Sequence, residues 1–132
     1  MPIDISWLVS DRVVYMRSYK DVTLDETRQA NAQIITMLDN GTPLVHVIIN
    51  QTELGNFPIS VNEYRNVLTA MTHESLGWIV VYGPARPMAD FIAVMVARLG
   101  RLKYRKLALR AEAIQFLVQK DASLKPHFDE VT

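Results

Sequence analysis

The residues of this chain with the types and placement for chemistry gather around one segment, Asn50-Gln-Thr-Glu53, and the Ser60-Val-Asn-Glu63 that follows it. Ser60 and Thr52 carry hydroxyls that can accept a phosphoryl group, and together with Asn50 they make up a candidate switch loop. A phosphate on Ser60 would sit at a helix start, where free N–H groups and the helix dipole favour negative charge. The same Ser60 also has a structural role. Ser-x-x-Glu ahead of Tyr64, Leu68 and Met71 is a capping box, and an N-cap is worth about 0.5–2 kcal/mol over Ala. Cap chemistry accounts for both Ser60 and Glu63, so the cap is the first expectation and a phospho-switch the second.

Other chemistry is sparse. His46 lies in an apolar run and is expected to be a hydrogen-bonded core or sheet-facing histidine, while His73 and His127 are scattered beyond it. No His-x-x-His or His-Glu-x-x-His spacing occurs, so no metal is expected. A Ser-His-Asp set is assembled in space rather than in sequence, so spacing alone leaves it open. No Gly-x-Ser-x-Gly elbow is present to support one. Arg86, within Gly83-Pro-Ala-Arg-Pro87, is a candidate anion contact before a helix start. Two prolines there remove backbone donors, which favours a rigid turn. No cofactor and no enzymatic reaction follow from these residues.

The elements that must position them alternate. Ile5–Val9 and Val13–Ser18 read as a hairpin turning at Ser10-Asp11-Arg12. Thr23-Leu-Asp-Glu26 is a second capping box, opening a helix to about Leu38, with Asp39-Asn40-Gly41 as a left-handed stop. Leu44–Asn50 is a buried strand, Ser60–Met71 a helix and Trp78–Tyr82 a further buried strand. Pro87 opens a helix to about Leu99 with Gly100 as its stop, Lys103–Leu109 is the last strand, and Glu112–Lys120 the final helix. The order β-β-α-β-α-β-α-β-α predicts an α/β fold with a mixed, mostly parallel sheet packed by helices.

The helix from Pro87 is apolar nearly all round. Met88, Phe91, Ile92, Met95 and Leu99 recur at helical spacing, and Val94 and Val96 add to them. One sheet covers one side of such a helix, so the other side needs a second helix, a ligand or another chain. Met88, Phe91, Val94, Met95 and Val96 are therefore candidate interface residues, with a twofold homodimer as the simplest occupant.

Composition bounds the rest. The 132 residues predict a single domain, 1–132, able to bury about two thirds of its unfolded surface. With no cysteine there is no disulfide framework. The N-terminus has no signal-peptide pattern, and Met88–Leu99 is too short to span a bilayer, so no membrane insertion and a cytoplasmic location are expected. Residues 84–110 carry seven basic side chains and one acid, yet net charge is zero, which speaks against nucleic acid as a partner.

The element order resembles the STAS family, the sulfate transporter and anti-sigma factor antagonist domain. The opening hairpin, the acid-rich capped first helix, the central strand ending in a polar segment, and Ala111-Glu-Ala-Ile-Gln-Phe-Leu117 before Asp121-Ala-Ser-Leu124 carry the likeness. It is nearest the stand-alone bacterial branch similar to the sporulation anti-sigma factor antagonist. That resemblance implies a non-enzymatic regulatory module with a protein partner. The family's Asp-Ser phosphorylation pair after the central strand is replaced here by Asn50-Gln51-Thr52-Glu53, so the standard phospho-switch is not expected. The competing expectation is a carrier or sensor of a small apolar, lipid-like ligand held between helices and sheet, lined by Phe57, Tyr64, Trp78, Met88, Phe91 and Met95, in a cavity of roughly 300 Å³ or more.

Overall fold

The computed structural model describes residues 3–56 and 69–131. Two strands, β1 (Ile3–Val9) and β2 (Val13–Lys20), form the opening hairpin, with Asp11 taking the left-handed conformation in its turn. Arg12 N–H closes that turn on the Val9 carbonyl at 3.0 Å. Helix α1 (Leu24–Asn40) begins at the expected capping box. Thr23 Oγ1 accepts from Glu26 N–H at 3.1 Å, and Glu26 Oε1 accepts from Thr23 N–H at 3.0 Å. Strand β3 (Val45–Leu54), a 3-10 turn (Thr69–Thr72), strand β4 (Leu76–Tyr82), helix α2 (Pro87–Gly100), strand β5 (Lys103–Leu107), helix α3 (Arg110–Lys120), a second 3-10 turn (Ala122–Leu124) and helix α4 (Lys125–Val131) follow.

The five strands lie in sequence order, β1-β2-β3-β4-β5, with β1 antiparallel to β2 and every other pair parallel. The expected mixed, mostly parallel α/β sheet is what forms. Because each parallel crossover steps the same way, right-handed connections put their helices on one face. Val14, Val45 and Val47 accordingly meet Leu38 of α1 and Ala70 of the first 3-10 turn. The opposite face carries Val13, Ile48, Val80 and Tyr82, and it is covered by Ile114 and Leu117 of α3, Leu124, and Phe128 of α4. Two cores therefore share one sheet. Asn31, buried in α1, pins the 3-10 turn to the first of them: its Oδ1 accepts from Ala70 N–H at 2.8 Å and its Nδ2 donates to Thr69 Oγ1 at 3.0 Å.

Several boundaries differ from the sequence reading, each for a local reason. β3 runs on through Gln51-Thr52-Glu53, expected to be a loop, because β2 is long enough to pair Tyr19 with Glu53 and Lys20 with Leu54. Arg17 adds an ion pair to Glu53 at 2.9 Å. Gly41 ends α1 in an extended conformation (φ −87°), not a left-handed one. It is needed for closeness instead, since a Cβ there would lie 2.6 Å from Val45 Cγ2. Gly100 is the last residue of α2, and Arg101 is the left-handed stop (φ 55°), its N–H turned back to the carbonyls of Ala97 and Arg98. The last strand ends at Leu107, two residues short of expectation, because α3 begins at Arg110. Helix α4 was not expected; Phe128 anchors it in the core. The expected Ser60–Met71 helix, with Ser60 and its capping box, lies outside the described residues apart from its last three, 69–71, which belong to the first 3-10 turn.

Candidate functional site

In a parallel sheet the C-terminal strand ends are where ligands collect. Here that edge is bound to itself. Asn50 Nδ2 donates to the Tyr15 hydroxyl at 2.9 Å, and Tyr15 shares a 2.8 Å hydrogen bond with Tyr82. Burial, helped by the bond to Tyr15, pushes the Tyr82 hydroxyl up to about 12. Asn50 Oδ1 takes both the Thr52 N–H (2.9 Å) and the Thr52 hydroxyl (2.7 Å). Thr52 is thus a capped strand residue on an exposed edge, not the start of a helix. Ser60, the other candidate acceptor, lies outside the described residues.

Arg86 does not present an open anion site. Its guanidinium donates to the carbonyl of Gly55 at 2.9 Å and to that of Leu54, tying the start of α2 to the end of β3. Asp90 takes the Arg86 N–H at 3.0 Å and the Lys106 ammonium at 2.6 Å. The geometry supports the rigid turn in place of the anion contact.

At the opposite edge, beneath β3, the three residue types of a hydrolase triad do meet. His46 is 2% exposed. Its Nδ1 accepts the Trp78 N–H at 2.9 Å, so Nε2 carries the proton and donates to Asp121 Oδ2 at 3.0 Å. Gly77 makes room for the ring, since a Cβ there would stand 2.5 Å from Nδ1. The Ser123 hydroxyl, however, bonds Asp121 Oδ1 at 2.5 Å and accepts from Arg12 at 3.1 Å. A triad needs the serine on the histidine. Here both ring nitrogens are committed elsewhere, so the cluster is a clamp. Arg12 completes it with a 2.7 Å ion pair to Asp121, while its own Nε is buried without a partner among the described residues. Burial opposes ionisation of Asp121, but hydrogen bonds from Ser123 and His46 and the Arg12 charge outweigh it and hold the carboxyl at about 2. Burial, the larger effect on His46, lowers its pKa against the pull of Asp121. His73 is similarly engaged, with Nε2 on Asp39 at 2.6 Å. No cluster of His, Cys, Asp or Glu among the described residues is arranged to hold a metal.

Among the described residues, four of the six exposed large hydrophobic side chains are on α2, the other two being Leu44 and Leu109. The helix buries Ile92, Val96 and Ala97. Met88 (62% exposed), Phe91 (60%), Val94 (37%) and Leu99 (53%) face outward with the half-buried Met95 beside them. Spacings of three and four residues place these on one stripe. Of the candidate interface residues, Val96 is corrected: it belongs to the buried side. Ile92, expected on the stripe, is also buried. The sequence signal was the excess of apolar residues; it could not say which arc the sheet would take.

Under α2, a cavity of about 220 Å³ opens between α1, α2 and the sheet, lined by Met16, Ile34, Val47, Ile49, Val81 and Val96 among others. It is smaller than expected and differently lined. Trp78 is on the other face, edge-on to Phe116 at 4.9 Å between centroids, and Met88, Phe91 and Met95 are not among its walls. Phe57 and Tyr64 lie outside the described residues. Ser18, Gln51 and Tyr104 are polar points on its wall, the Tyr104 hydroxyl pushed up to about 12 by burial and by Asp90.

No helix among the described residues is long and apolar enough to cross a membrane. No family model and no curated protein matches the sequence. Solved structures do. An uncharacterised DUF3478-family protein with a SpoIIAA-like fold, from Shewanella loihica PV-4, superposes with a TM-score of 0.63 at 13% identity, over 87% of this chain and 91% of that one. The anti-sigma factor antagonist SpoIIAA in its unphosphorylated form gives 0.57 at 19% identity, over 87% and 95%. The phosphorylated form of the Bacillus cell-fate determinant SpoIIAA gives 0.55 at 16%, over 87% and 98%. With TM-scores of 0.55 to 0.63 over 87% of this chain and 91% or more of each of those, this protein has a SpoIIAA-like fold.

Proposed function

We propose that the chain is a non-enzymatic interaction module of the regulatory kind, docking a protein partner on the exposed face of α2. The observation that carries this is the stripe Met88, Phe91, Val94 and Leu99, four large apolar side chains left in water on one helix. Patches of this kind on a folded protein mark contact surfaces. The fold supports the reading, since two structures that share it are of an anti-sigma factor antagonist. The sheet-end chemistry supports it too: His46, Asp121, Ser123, Asn50, Thr52 and Arg86 are each hydrogen-bonded within the fold and offer no convergent set for a reaction among the described residues. Regulation by phosphate on Thr52 or Ser60 is not part of the proposal, because the hydroxyl of Thr52 is tied to Asn50 and the Asp-Ser pair is absent.

Native mass spectrometry of protein isolated from its own host tests this reading. The expected result is a complex with a protein chain, its own copy or another, lost on Val94→Glu, and no phosphate. A free monomer across micromolar concentrations, or a complex indifferent to that substitution, counts against it.

The cavity supports a second reading, a carrier of a small apolar ligand. The space of about 220 Å³ is walled mainly by aliphatic side chains, with Ser18, Gln51 and Tyr104 as polar points, which suits a small, largely apolar molecule. In the same spectra this reading expects a copurified small molecule, and Ala93→Leu, which intrudes on the cavity wall, displacing it.

A further inference from the structure

The charges beside the stripe say more about what covers it. Arg98 stands four residues after Val94 and seven after Phe91, so it continues the stripe into the last turn of α2, and Arg101 caps that turn. Both are exposed and neither has an ion pair among the described residues, whereas Asp90, the acid of this helix, is occupied by Lys106 and the Arg86 N–H. The face is thus apolar over three turns and cationic at one end. It also coincides with the C-terminus of α2, where the helix dipole is negative and already accommodates these two cations.

A second copy fits this pattern poorly. Antiparallel pairing of two α2 helices would set Arg98 and Arg101 of each against the other's helix start, which is dipole-positive, holds Arg86 and offers an acid already neutralised by Lys106. Parallel pairing would set like charges together. The exposed apolar area, roughly 400 Å² if each large side chain presents about 200 Å² in full, is also about half of the ~800 Å² per partner of a standard interface. Resting on the interaction reading, we infer that the α2 face takes an amphipathic helix from a different protein, apolar along its length and acidic at the end lying over Arg98 and Arg101. Met88 and Met95 provide the adaptable surface such a helix packs on.

Two designed amphipathic peptides of about 18 residues, long enough to hold a helix, test this. They share leucines at i, i+3, i+4 and i+7 and differ in carrying a glutamate or a lysine cluster at one end. Each is titrated into the whole chain by fluorescence anisotropy, with amide shifts mapping its position. The glutamate peptide is expected to bind about tenfold tighter, with shifts confined to α2. Arg98→Glu with Arg101→Glu is expected to reverse the preference, and Phe91→Ser to abolish both. Equal binding of the two peptides through Phe91 overturns the acidic partner but leaves the interaction reading standing. A dimer in sedimentation that Phe91→Ser dissociates, or binding to phosphatidylcholine–phosphatidylserine vesicles in place of either peptide, overturns the inference in favour of self-pairing or a lipid surface. A monomer that binds neither peptide overturns both.

Discussion

At the residue scale the most consequential group is the His46–Asp121–Arg12–Ser123 clamp, because its protonation is part of the stability of the chain. His46 is lowered from 6.5 in the folded state, so below about pH 6.5 the unfolded chain binds the extra proton first and stability falls. Asp121 is held at about 2 against about 3.9 when unfolded, so its contribution, about 2 kcal/mol, is present above pH 5 and lost between about pH 5 and 2. Both effects run the same way. Urea denaturation is expected to show stability declining from pH 7 to 3. His46→Gln should flatten the upper part of that profile, and Asp121→Asn the lower part while lowering stability at pH 7 by about 2 kcal/mol. A variant profile parallel to the wild type would refute the assignment. The sequence placed His46 correctly as a hydrogen-bonded core residue. It was silent on Asp121, 75 positions away, because no local spacing encodes a contact made by the last helices folding back under β3.

At the scale of elements, legibility followed the reach of the forces involved. The Thr23–Glu26 box and the Pro87 helix start are contacts within four residues, and both stand where their sequence put them. Ends fixed by neighbours moved: β3 lengthened because β2 offered a partner, and Gly41 served closeness to Val45 instead of a left-handed turn. For α2 the amount of apolar surface was legible, but its division between sheet and solvent was not, since Val94 and Val96 are chemically the same and only the docked angle separates them. That division is testable. Val96→Glu buries a charge and is expected to cost more than 3 kcal/mol or prevent folding, whereas Val94→Glu is expected to shift stability by less than about 1 kcal/mol. Thermal melts of the two variants compare them directly; equal losses would mean that the stripe is not exposed in solution.

At the scale of the molecule, the sequential strand order concentrates the crossover helices on one face of the sheet and leaves the other to residues 110–128. Leu117 is 0% exposed in that second core. Leu117→Ala is expected to lower unfolding free energy by about 2–5 kcal/mol, and Phe128→Ala by about 3–5 kcal/mol although it sits in the final helix. Denaturant titrations measure both; a loss under 1 kcal/mol at Phe128 would show that α4 is not docked. The overall α/β class and the sheet's mixed character were legible from the alternation of periodicities. The placement of function was less so, because the polar segment after β3, where the fold suggested looking, is structurally committed, while α2 is not.

The same strand order sets a timetable for synthesis. A chain cut short after Leu107 would hold all five strands, yet Val13, Ile48 and Val80 would lack their cover. Released without residues 110–128, such a chain would carry one covered sheet face and one bare apolar face, the kind of surface chaperones hold and neighbouring chains stick to. Interruption of translation within α3 is therefore expected to be more harmful than interruption within α1, where no sheet has yet formed to be left half-dressed.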